Sequence, residues 1–175
     1  MDAAVASVAG PFEADFTDFT VAAPDSGGID SGGIDTPDGI DMLIVDGAAM
    51  FSSGGLRECL DGVWDATRAV VNLAFLADES SARTRRIVYL APSPGADRSE
   101  IVQQADSARA GLENLARTLS VEWARYEITL VTIAPGEEST AGEVAALCAY
   151  LASPAGAYFS GTQLDLRGLP ETRAA

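Results

Sequence analysis

The chain has no histidine and no lysine: all 11 basic residues are arginine, against 26 Asp and Glu, for a net charge of −15. Without imidazole there is no Ser–His or Cys–His nucleophile pair, no His metal ligand and no side chain that titrates near neutrality. Without lysine there is no Schiff base and no phosphate-loop lysine. Cysteine is scarce as well. Cys59 and Cys148 lie far apart in unrelated segments and read as two small buried side chains in a reducing interior. No metal site is expected. No run approaches the ~20 apolar residues of a membrane helix, and the first residues show neither the basic nor the apolar region of a signal peptide. A cytoplasmic location follows. So acidic a surface repels phosphate backbones and anionic lipid, so neither nucleic acid nor a membrane is an expected partner.

Nearly half of the 175 residues are apolar, which is enough for one domain with a core. Residues 1–39 differ from the rest. They carry no basic residue and hold a tandem repeat, SGGID-SGGID, over residues 26–35. Gly pairs and Asp at this density favour a loop. The repeat lacks the longer acidic alternation and closing Glu of a calcium-binding loop. Phe16–Ala23 (FTDFTVAA) reads as a strand ahead of it.

Strands and helices then alternate. Ile40–Asp46 is a short apolar run bounded by Gly and Asp, hence a buried strand. Gly47–Gly55 reads as a loop. In a helix over residues 56–76, Leu56, Leu60, Val63, Trp64, Thr67, Val71 and Phe75 recur on one face. Arg83–Arg86 read as a basic turn, Ile87–Ala91 as a second buried strand stopped by Pro92-Ser93-Pro94-Gly95. The stretch from Ser107 to Gly136 is the most regular. Leu112, Leu115, Leu119 and Trp123 mark one helix face, Ile128–Ala134 is a β-branched strand, and Pro135-Gly136 ends it. Glu143–Ala152 is a helix stopped at Ser153-Pro154, and Gly161–Leu166 a last strand. This order predicts βαβ units on a parallel sheet, with right-handed crossovers and helices on both faces. The small residues Ala108, Gly111 and Ala116 would let another helix come close.

From Ile40 to Gly168 these segments resemble the short-chain dehydrogenase/reductase family. IDMLIV is similar to its fourth strand, WDATRAVVNLAFL to its fourth helix, and RRIVYLAPSPG to the fifth strand and serine loop. The next helix and strand, through Pro135-Gly136, are the nearest match. EVAALCAYLASPAGAYFSGTQLDLRG is similar to the final helix and strand. The resemblance implies an incomplete Rossmann-like, doubly wound α/β fold. It would comprise an acidic segment over 1–39, a domain over 40–168 and a tail over 169–175, without the family's N-terminal dinucleotide-binding βα units.

The family's chemistry needs a Tyr, a Lys four residues later, and a Ser. Aligned on Gly111-Leu112, the Tyr position holds Ala105, the Lys position Arg109, and the Ser position Pro92, with Ser93 next to it. Asn72 is a candidate remnant of the fourth-helix Asn. Val45-Asp46-Gly47-Ala48 replaces the family's Asn-Asn-Ala-Gly, which brings the Asp46 carboxylate towards the cofactor region. Only Glu137–Gly142 stand where the family has its substrate cover. Tyr89 and Tyr126 are the candidate replacement acids, and their places, inside a strand and in the turn before one, disfavour that role.

The resemblance therefore implies a subunit with no cofactor and no catalytic residue of its own. It would pair with an active NAD(P)-dependent paralogue through the two long helices and the last strand. Trp64, Val71, Phe75, Ala108, Leu112, Ala116, Trp123, Leu164 and Leu166 are its candidate contacts. The other two readings are an active oxidoreductase with rebuilt residues and a homodimeric small-molecule binding module. An uncovered edge strand invites aggregation, so either residues 1–39 or a partner should cover the first strand of the sheet.

Overall fold

In a computed structural model, residues 41–76, 84–94 and 100–167 are described, apart from the side chains of 100–103. The FTDFTVAA stretch, the SGGID repeat and the tail over 169–175 lie outside them.

Four strands form one parallel sheet: β1 (Met42–Asp46), β2 (Arg85–Leu90), β3 (Ile128–Ala134) and β4 (Thr162–Asp165), in that spatial order. Between them run α1 (Gly47–Val70), α2 (Glu100–Glu122) and α3 (Ala141–Ala152). The strand pleat sends alternate side chains to opposite faces. Leu43, Val45, Ile87, Tyr89 and Leu130 meet α1 and α2 through Cys59, Val63, Val70, Leu112 and Ala116. Val88, Val131 and Ile133 meet α3 through Cys148 and Leu151 on the other face. The doubly wound α/β architecture is thus present.

One expectation changes. Successive strands are added in the same direction, yet α1 and α2 cover one face and α3 the other. The three connections therefore cannot share one hand, and right-handed crossovers throughout are excluded.

Local differences have local causes. Gly47–Gly54 is helix rather than loop. Asp46 caps it by accepting from the Ala49 N–H at 2.9 Å, and Met50 is buried. The Ser52 and Ser53 hydroxyls bond back to the carbonyls of Ala48 and Met50, so they do not compete for the chain ahead. Gly55 then kinks α1 at φ 75°, ψ −156°, a conformation open to glycine. At its other end α1 widens into a π-turn over Val71–Phe75. Arg85 and Arg86 are not a turn but the first residues of β2. Arg85 is buried, donates to the Phe75 carbonyl at 2.7 Å and lies 5.4 Å from the Phe75 ring centroid. Arg86 donates to the Ala152 carbonyl. α2 begins seven residues before Ser107, at Glu100. A reciprocal Thr140–Glu143 capping box starts α3 two residues before Glu143.

Candidate functional site

In an open parallel α/β sheet, ligands bind beyond the carboxyl ends of the strands. Here that rim is formed by Pro92 after β2, Pro135-Gly136 after β3, and Asp165 to Arg167 at the end of β4. The side chain that joins them is Arg109, from the middle of α2. It is 4% exposed. Its Nη1 donates to the Pro92 carbonyl at 2.6 Å and to the Pro135 carbonyl at 2.8 Å. Its Nη2 lies 3.9 Å from Asp165 Oδ1 and has no hydrogen-bond partner among the described residues. Burial and the nearby Arg167 lower the Arg109 pKa, against the opposing pull of Asp165 and Asp106. Asp165 is in turn held below the usual carboxylate range, chiefly by the hydrogen bond it accepts from Arg167.

Pro92 and Ser93 after β2 and Ala105 and Arg109 on α2, all singled out in the sequence, thus fall in one place. Pro92 is buried, with its carbonyl turned onto Arg109. Ala105 is buried one helical turn from Arg109 and brings no polar atom beyond the backbone. Ser93 is exposed beside Pro92. Asn72 is not part of this group. It is exposed in the π-turn whose Phe75 carbonyl meets Arg85 at the start of β2, at the opposite end of the sheet. Asp46 is committed to the N-terminus of α1.

The two tyrosines lie in different surroundings. Tyr89 is wholly buried and its hydroxyl is hydrogen-bonded to that of Thr67 at 3.1 Å. Burial raises its pKa, against the opposing effect of the Thr67 bond. Tyr126 is exposed and stacks under Arg125, 4.6 Å from the guanidinium carbon to the ring centroid. Both thiols are buried. Desolvation, with Asp46 adding to it, pushes Cys59 up to about 11, and desolvation pushes Cys148 to about 12. Neither is a nucleophile at neutral pH. Among the described residues no three His, Cys, Asp or Glu side chains gather to hold a metal, and no helix is long and apolar enough to cross a membrane.

The fold is that of the short-chain dehydrogenases and reductases. The chain superposes on a 3-ketoacyl-(acyl-carrier-protein) reductase from Brucella melitensis complexed with NADH (TM-score 0.58, 19% identity). It superposes likewise on an acetoin dehydrogenase from Salmonella typhimurium (0.57, 19%) and a short chain dehydrogenase from Mycobacterium smegmatis (0.57, 20%). The matches cover 73%, 73% and 74% of this chain and 66%, 63% and 60% of those chains. The chain spans less than two-thirds of the length of each. No protein-family model and no curated protein matches it.

Does the nicotinamide dinucleotide of the dehydrogenase fold suit the residues present? A pyrophosphate needs open N–H groups at a helix N-terminus after a Gly-rich turn. Among the described residues, the turn at the first strand is Asp46-Gly47, and the Asp46 carboxylate already holds the Ala49 N–H. That turn, among the described residues, does not fit the pyrophosphate.

Of the nine candidate contact residues, five offer no surface. Val71, Phe75, Ala108, Leu112 and Ala116 are 4% exposed or less and belong to this chain's own core. Gly111 does admit a close helix, but that helix is α1: a Cβ on Gly111 would lie 2.8 Å from a Leu60 methyl. Trp123, Leu164 and Leu166 are partly buried against the two cores. Trp64 is 39% exposed on α1, and Val121, which the helix periodicity did not single out, is 74% exposed on α2.

The staple itself was not legible. Arg109 stands among small residues, and nothing in SARAG marks three strand ends converging on it. The one available signal is a long cation at a position flanked by core residues.

Proposed function

We propose that the chain is a non-catalytic member of the short-chain dehydrogenase/reductase family that pairs with an active NAD(P)-dependent paralogue. It stabilises that partner in a ketone/alcohol redox step. NAD(P) and the chemistry belong to the partner. The observation that carries this reading is the state of α2 at the rim. Where the fold's chemistry calls for a proton donor and a Lys, Ala105 has no proton to give. Arg109 spends Nη1 on two backbone carbonyls, and its planar fork offers donors and no acceptor. A guanidinium so held does not shuttle protons. The exposed Trp64 and Val121 supply apolar surface on the two long helices, which suits docking against another pair of helices.

The test is co-expression with a full-length reductase of the same fold from the same genome, followed by size-exclusion chromatography. One shared peak is expected, with turnover that belongs to the partner's residues. Two separate peaks would count against the pairing. Titration of the purified chain with NADH and NADPH in a calorimeter should give no saturable heat. Saturable heat would instead favour an enzyme with rebuilt residues.

A further inference from the structure

The sheet has an open edge at β1. Among the described residues β1 pairs with β2 alone. In a parallel ladder, the N–H and C=O of one residue point to the same neighbour, and successive residues alternate. The Arg86 N–H donates to the Asp41 carbonyl at 3.0 Å, which sets the phase. Leu43 and Val45 therefore face β2, and Met42 and Ile44 turn their backbone groups to the open edge. Their side chains lie on the α3 face. There they are only half-buried, because Cys148 and Leu151 of α3 pack around Val88, Val131 and Ile133. The other face is finished: Leu43 and Val45 are buried under α1. Among the described residues, one edge of the fold thus combines unpaired backbone donors with half-buried apolar side chains.

We propose that Phe16–Ala23 of this same chain pairs with that edge as a further strand. Within FTDFTVAA, Asp18-Phe19-Thr20-Val21 alternates in the strand period. Thr17, Phe19, Val21 and Ala23 share one face; Phe16, Asp18, Thr20 and Ala22 lie on the other. With Phe19 and Val21 beside Met42 and Ile44, the new strand covers the half-finished apolar surface and pairs its donors. The tether reaches. Residues 24–40 are 17 residues rich in Gly, Asp and Ser, directly before β1. A flexible chain of that length spans roughly 20–25 Å, whereas β1 is about 17 Å long. A short tether also raises the local concentration of the segment to about the millimolar range. A second copy is disfavoured at this edge. Antiparallel β1–β1 pairing would bring the flanking Asp41 and Asp46 of two chains together, each chain carrying −15. The proposal stands apart from the functional reading, and its test needs no partner protein or cofactor.

The test is amide hydrogen exchange on the full chain, read residue by residue by NMR. The Met42 and Ile44 amides should be slowed about 100-fold relative to an unstructured peptide. In the full-length variant Thr20→Pro/Val21→Pro, which removes one donor of each parity, that slowing should fall at least about tenfold. The Leu43 and Val45 amides, bonded to β2, should keep theirs and show that the domain is intact. Unslowed Met42 and Ile44 in the parent chain overturn the proposal. So does slowing that survives the double replacement, since a second copy or another segment would then hold the edge.

Discussion

Arg109 is a cation withdrawn from water to satisfy backbone carbonyls at the ends of two strands and to lie near a carboxylate at the end of a third. Pro92 and Pro135 have no N–H to extend the ladder, so their carbonyls close it on the guanidinium instead. Arg109→Met keeps the volume and removes the donors. Each buried carbonyl left unpaired costs about 1–3 kcal/mol, and the variant should lose about 2 kcal/mol in urea unfolding. A loss below about 0.5 kcal/mol would mean that water replaces the guanidinium. A lysine carries a point charge on a single nitrogen rather than a planar fork. This chain, which has no lysine at all, uses the fork as a structural clamp.

At the scale of elements, α1 shows how packing overrides local preference. Gly47, Ser52, Ser53, Gly54 and Gly55 are weak helix formers. They are nonetheless helical through Gly54, because a capped start and a buried Met50 tie the segment to the core. What their composition does produce is the break at Gly55. With φ 75° and ψ −156°, a Cβ there is strained regardless of the room around it. Gly55→Ala should destabilise the chain by about 1–3 kcal/mol and lower its thermal midpoint. An unchanged midpoint would show that α1 straightens without cost. The α1–α2 contact at Gly111 and Leu60 is the other device of this kind: an absent side chain on one helix lets the other lie close.

At the scale of the whole molecule, one face of the sheet is complete and the other half-covered, and the acidic exterior carries isolated apolar residues on its long helices. Trp64 separates docking from folding. It is exposed enough that Trp64→Asp should leave the melting temperature within about 2 °C of the parent. If α1 docks on the proposed partner, the same change puts a charge in a dried surface and should cost that complex tenfold or more in affinity, about 1.4 kcal/mol. Undiminished co-elution of this variant would remove α1 from the interface. The corresponding experiment at Leu112 or Ala116 would report only on this chain's own core.

The sequence by itself determined the order and type of the elements. Apolar period carries that information locally: Ile128–Ala134 is a strand to the residue, and Leu112, Leu115, Leu119 and Trp123 do line one packed face. It also determined that histidine and lysine contribute nothing here, since a missing side chain needs no fold to be missing. Three things were decided only by tertiary structure. They are which neighbour the small face of α2 meets, on which side of the sheet α3 lies, and that strand ends far apart in sequence close on Arg109. Each depends on contacts between residues separated by tens of positions. The chain records such contacts only as a residue's size or charge, never as its partner.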